Sequence, residues 1–168
     1  DRFIEILELK FQCYYGLEKF DEALELTDYI LSIDKNNYEN FANKAKLYER
    51  LGELEDAQYF WMKSNEFSDK YVFDYALSIW NNTKNYNLAL DIIEKNNSLN
   101  KGANYYFTKA LIQNYCYEIK GDLNMLEEAI DNFKLTNIQV DFDEFIEINL
   151  MNYVYQYALI IASHDRKG

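Results

Sequence analysis

The stretch Lys19–Asn37, KFDEALELTDYILSIDKNN, decides the fold, because its first part recurs along the chain. KFDEALEL (19–26) is echoed by ELEDAQYF (53–60), NYNLALDI (85–92) and MLEEAIDN (125–132). Each copy centres on an alanine: Ala23, Ala57, Ala89 and Ala129, separated by 34, 32 and 40 residues. Three residues before each alanine stands an apolar residue, Phe20, Leu54, Tyr86 or Leu126. Nine residues before the first three stands an aromatic, Tyr14, Tyr48 or Trp80. A fixed period of this length marks a repeat architecture. The physical reading is a pair of amphipathic helices per unit. The aromatic belongs to the first helix and the alanine to the second, which is small where the two helices cross. One pair cannot bury its apolar faces alone, whereas stacked pairs can.

The spacing predicts helices over 2–15, 20–33, 38–51, 54–67, 69–82, 86–96, 101–119 and 123–136, with a ninth over 141–163. Gly16, Gly52, Gly121 and the pairs Asn81-Asn82 and Asn96-Asn97 supply helix stops that tolerate left-handed backbone. Asp141 or Asp143 is the expected cap of the ninth helix. The composition agrees: 168 residues with no proline and five glycines favour long helices and short links. Hydrophobic residues make up 49%, enough for a core, and 16 Tyr, 11 Phe and 2 Trp suit helix packing.

The same numbers exclude several functions. Seventeen Lys and Arg against 29 Asp and Glu give a net charge of −12, which repels phosphates, so no nucleic-acid partner is expected. One histidine and two cysteines leave no expected metal site, cofactor or disulfide scaffold. Cys13 and Cys116 sit among apolar residues and read as buried thiols in a reducing, cytoplasmic setting. The apolar stretch 148–163 is broken by Asn149, Asn152 and Gln156, so membrane insertion is not expected. No phosphate-binding glycine loop, oriented histidine base or calcium loop can be read. The chain is therefore expected not to be an enzyme. Asp1 in place of a start methionine suggests an excised piece.

The pattern resembles the tetratricopeptide repeat (TPR) family, whose signature runs W-x2-L-G-x2-Y, then A-x3-F, then P. Here the first half reads Leu7-x2-Lys10-Phe11-x2-Tyr14, Phe41-x2-Lys44-Ala45-x2-Tyr48 and Phe73-x2-Ala76-Leu77-x2-Trp80. The second half reads Ala23-x3-Thr27, Ala57-x3-Trp61, Ala89-x3-Ile93 and Ala129-x3-Phe133. Phe11 and Leu77 replace the small residue of the first helix, and the terminal proline is absent. The resemblance implies an all-α, right-handed superhelical solenoid of about four TPR-like helix pairs plus a C-terminal helix. It implies a single domain over 1–168, with repeats at about 4–37, 38–68, 70–100 and 103–136 and a final helix at 141–163.

In this family the first helix of each pair lines a concave groove. Carried over by position, that face holds Glu5, Glu8, Gln12 and Tyr15, then Glu39, Asn43, Lys46 and Arg50. The third pair adds Tyr71, Asp74, Tyr75, Ser78 and Asn82, and the fourth Phe107, Thr108, Leu111 and Asn114. The positions of the family's carboxylate clamp for chaperone C-termini fall on Glu8, Gln12, Asn43, Tyr71 and Tyr75. Only Asn43 fits, and Glu8 would repel a carboxylate. The resemblance thus implies a protein–protein interaction scaffold or adaptor with a protein or peptide partner, expected to be basic given the acidic groove. The alternatives are a regulatory or assembly segment of a larger enzyme or secretion machine, or a small TPR chaperone for exported proteins. The ninth helix is apolar round most of its circumference, so Tyr153, Tyr157, Leu159 and Ile160 are expected to face a further repeat or a second copy in a homodimer.

Overall fold

The structure is a computed structural model that describes residues 2–95, 102–139, 155, 158–163 and 165. Among the described residues eight α-helices follow one another, α1 (Arg2–Gly16), α2 (Phe20–Ile33), α3 (Tyr38–Leu51), α4 (Leu54–Phe67), α5 (Val72–Thr83), α6 (Tyr86–Lys95), α7 (Ala103–Lys120) and α8 (Leu123–Gln139), and residues 158–163 are helical again. A 3-10 turn, Asp69–Tyr71, precedes α5, and no strand occurs among the described residues. The fold is all-α and built of consecutive helix pairs. The chain divides into two compact units, Asp1–Ser78 and Ile79–Gly168, with the division inside α5.

In the first unit α1 packs on α2, α2 on α3, and α3 on α4. Leu7 and Phe11 of α1, Ala23, Leu26 and Ile30 of α2 and Leu47 of α3 form one buried cluster. In the second unit α6 packs on α7 and α7 on α8. There Ala110 and Tyr117 of α7 meet Leu126 and Phe133 of α8. Ala23, Ala57, Ala89 and Ala129 are all completely buried. So are the residues four further on, Thr27, Trp61, Ile93 and Phe133, none of them more than 2% exposed. The repeated spacing therefore marks one helical face, i and i+4, that every second helix turns inward.

Polar groups tie successive helices together where apolar packing alone would allow sliding. Asn40 of α3 donates through Nδ2 to the Thr27 carbonyl of α2 at 2.7 Å. Ser64 of α4 donates to the Tyr38 carbonyl at 2.8 Å. Lys44, 8% exposed, pairs with Asp28. Such buried bonds fix the register of one helix on the next.

The turns within pairs repeat as well, by different residues. Gly52 is left-handed at φ 79°, and the Glu53 amide reaches back to the Tyr48 carbonyl at 2.9 Å, a Schellman closure. The equivalent residues are Glu18 and Lys84, each at φ 56°, while Gly121 at φ 70° serves the fourth pair. Lys19 closes onto the Tyr14 carbonyl as Glu53 does onto Tyr48. The left-handed residue thus lies two beyond Gly16 and beyond the Asn81-Asn82 pair, which are the last residues of α1 and part of α5. Turn position follows the repeat, and glycine is used where it falls on it. Asn96-Asn97, Asp141 and Asp143 lie outside the described residues.

Three further differences from the expectations stand out. The helix expected over 69–82 starts at Val72, because the Ser68 side chain accepts from the Lys70 amide and closes a 3-10 turn first. Cys13 is exposed rather than buried, on the outer side of α1, while Cys116 is 2% exposed and burial pushes its thiol up. Ile160, expected on an exposed interface, is 3% exposed and packs in the α7–α8 cluster. Leu159 beside it is exposed, and Tyr153 and Tyr157 lie outside the described residues, as does most of 141–163.

At α3, Asn37 caps the N-terminus by accepting from the Asn40 amide at 2.7 Å. Loss of an N-cap acceptor costs about 1 kcal/mol. Asn37→Ala is expected to lower the unfolding free energy from urea titration by that amount, whereas Asn36→Ala, an exposed neighbour, should leave it unchanged.

Candidate functional site

On α1, Glu5, Glu8 and Gln12 fall at spacings of three and four and so share one face. On α3, Glu39 and Asn43 do the same. Packing of the first two helix pairs brings these faces together with Tyr71 of the 3-10 turn, and Leu9 completes the wall. The result is a pocket of about 370 Å³ wholly within the first unit. Six of its seven lining residues are among those assigned to the groove from sequence, and Leu9 is the addition.

The electrostatics centre on Glu39. Lys70 donates to its carboxylate, and this bond pushes the lysine up despite partial burial. The Lys70 ammonium also lies 5.2 Å from the Tyr71 ring centroid and 5.9 Å from that of Tyr38. Glu8 stands close enough to Glu39 to feel it. Burial pushes the Glu8 carboxyl up, the Glu39 charge adds to this, and a hydrogen bond with Asn37 pulls the other way. Burial likewise raises the Tyr71 phenol, with Lys70 opposing. The pocket is therefore lined by three carboxylates, Glu5, Glu8 and Glu39, with the ammoniums of Lys70 and Lys46 beside it at Tyr71. Asn43 is 7% exposed, and its side chain has no hydrogen-bond partner among the described residues.

The other predicted groove residues take different positions. Lys46 lies against aromatic faces, 5.0 Å from the Tyr71 centroid and 5.9 Å from that of Trp61. Asp74 is exposed near it; crowding by protein pushes its carboxyl up and Lys46 opposes that. Arg50 turns to the first turn, bonded to Glu18 at 3.1 Å. Tyr15 stacks on Phe11 and meets Phe20 edge-on, half-buried. Tyr75 is buried, and Ser78 is buried with its hydroxyl donating to Glu49. In the second unit Asn82 and Leu111 are half-buried and Thr108 is buried. Phe107 packs on Phe133 at 5.8 Å, and Asn114 bonds Glu118 at 3.2 Å.

Lys70 is the residue that sequence reasoning missed. It lies on the turn rather than on a helix face, so a helical projection assigns it no partner. The Ser68 side-chain acceptor two residues earlier is the signal that a tight turn, not a helix, carries it. Among the described residues, no group of three His, Cys, Asp or Glu gathers to hold a metal ion, and no helix is long and apolar enough to cross a membrane.

No protein-family model matches the chain, and no curated protein does. A solved structure described as "MamA RS-1 ArsTM double mutant" superposes with a TM-score of 0.57 at 15% sequence identity, covering 96% of each chain. The fold is TPR-like. At that identity the likeness concerns the fold alone, and it agrees with the helix pairs and the four buried signature alanines. In a TPR-like array the pocket lies on first helices of successive pairs, α1 and α3, ahead of α5.

Proposed function

We propose that the chain is a protein-interaction module, a scaffold or adaptor rather than an enzyme, acting in the cytoplasm. The first unit would hold an extended segment of a partner protein along α1 and α3. The observation that carries this reading is the pocket itself. Its side chains come from two different helix pairs and converge on one cavity. Amide and carboxylate groups beside an aromatic ring suit a polar peptide, which offers backbone amides to accept and donate. The net charge of −12 and the surplus of carboxylates in the pocket favour a basic or mixed-polarity segment.

Selection of random displayed peptides on the immobilised chain tests this. Enriched segments should carry Lys or Arg, and their binding should weaken as salt rises, since exposed charges are screened. Glu8→Lys combined with Asp74→Lys should weaken them by about tenfold or more, equivalent to about 1.4 kcal/mol. Enriched peptides whose affinity ignores both salt and the double substitution would place the binding surface elsewhere.

A further inference from the structure

We propose that the pocket between α1 and α3 is a specificity pocket for a single arginine side chain of the partner segment. This rests on reading the first unit as the partner site and names what one residue of that partner must be. Two independent observations converge on it. The first is charge: Glu5, Glu8 and Glu39 face the same cavity, and the two ammoniums beside it, Lys70 on Glu39 and Lys46 on Tyr71, offset them only in part. A carboxylate or phosphate ligand is repelled there, and a neutral one leaves the charge uncompensated. The second is Asn43. An amide that opens into a cavity without a bond to the fold keeps its oxygen and nitrogen available to a ligand. Asn43 lines the cavity at 7% exposure with no such bond among the described residues. Its free oxygen acceptor stands beside the carboxylates.

The choice of guanidinium over ammonium follows from the shape of the acceptors. Carboxylate oxygens of Glu8 and Glu39 and the amide oxygen of Asn43 come from separate points on α1 and α3. A planar fork with five donors can reach several such acceptors at once, whereas an ammonium is a point charge. Leu9 offers an apolar wall for the alkyl stem. Lys70 already shows that this corner holds cations. Its ammonium sits on Glu39 and 5.2 Å from the Tyr71 centroid.

Capped single amino acids isolate the pocket from the rest of any partner. The isotope-labelled full chain is titrated with N-acetyl-arginine amide, with the lysine counterpart and with N-acetyl-citrulline amide, and the Asn43 side-chain amide is followed by NMR. Citrulline keeps the shape of arginine and removes its charge. Arginine should shift the Asn43 signal saturably in the millimolar range, citrulline at least about tenfold more weakly, and lysine between them. Glu8→Gln, nearly isosteric, should remove the difference between arginine and citrulline while the remaining spectrum confirms a folded chain. Equal responses to arginine and citrulline, no response to arginine, or a preference that survives Glu8→Gln would each overturn the proposal. The broader reading fails separately. Peptides that lose binding with Glu8→Lys and Asp74→Lys yet tolerate citrulline in place of every arginine would keep the partner groove and remove the arginine pocket.

Discussion

Trp61→Ala is expected to destabilise the first unit by about 3–5 kcal/mol, the range for deleting a buried large aromatic. Trp61 is 2% exposed on α4. Its indole N–H donates to Glu49 of α3 at 2.9 Å, and its ring lies 6.4 Å from that of Tyr71. The Lys46 ammonium stands 5.9 Å from the same ring. The side chain thus joins α4, α3 and the 3-10 turn, and alanine leaves a cavity where the three meet. It also removes a donor from the partly buried Glu49, although Ser78 still bonds that carboxylate. Trp61→Phe separates the two effects. It restores much of the ring and not the N–H, so it should cost about 1–2 kcal/mol. Urea denaturation followed by circular dichroism measures both. In the variants the remaining tryptophan, Trp80, belongs to the second unit, and its fluorescence reports whether that unit melts with the first. A loss under about 1 kcal/mol for alanine would mean that the site collapses around the change and that Trp61 is not the keystone between these elements.

Most of the fold was legible because close packing of helix pairs constrains few residues strongly. Ala23, Ala57, Ala89 and Ala129 must be small, and each is fully buried. Residues four further on must fill space, and Thr27, Trp61, Ile93 and Phe133 do so with very different shapes. Position, not identity, is what the pattern preserves. For that reason the helix ends from α1 to α4 could be placed within a residue. What escaped was chemistry decided by neighbours in space. Glu18 and Lys84 take left-handed backbone although neither is glycine or asparagine, because a closure such as the Lys19 amide to the Tyr14 carbonyl imposes the turn. Cys13 has apolar sequence neighbours, but it points away from the face that holds Leu7 and Phe11. Ile160 could not be assigned from a helix apolar on all sides, since burial there depends on which side meets α7 and α8.

The candidate site was legible in its helical part only. Periodicity puts Glu5, Glu8 and Gln12 on one face and Glu39 and Asn43 on another, and packing joins the two faces. It cannot say which charges are already satisfied within the fold. Arg50 shares the α3 face yet bonds Glu18, and Lys46 lies over rings rather than standing free. Lys70 partners Glu39 from a residue outside either helix. An acidic groove read from α1 and α3 alone therefore overstates the charge at Glu39.

Ala57→Leu should destabilise the first unit by about 1–3 kcal/mol, for the opposite reason to Trp61→Ala. Ala57 is fully buried on α4, which packs against α3, and the aromatic nine residues earlier, Tyr48, stacks on Phe60 of α4 at 5.4 Å between centroids. That stacking leaves a methyl group, and not an isobutyl group, between the two backbones. Three added carbons must push Tyr48 from its rotamer or part the helices, and either disturbs the Trp61–Glu49 bond one turn away. Leucine is also nearly as good a helix former as alanine, so helix propensity cannot account for the loss. Glu53→Ala is the matched control: Glu53 is exposed at the N-cap of α4 and its side chain makes no capping bond. It should fall within about 0.5 kcal/mol of the parent. For a unit of this size 1 kcal/mol moves the melting temperature by about 4–8 °C, so the two variants separate clearly in a thermal scan. Equal melting temperatures would show that α3 and α4 do not approach closely at Ala57, and the reading of the repeated alanines as the crossing point of each pair would be wrong.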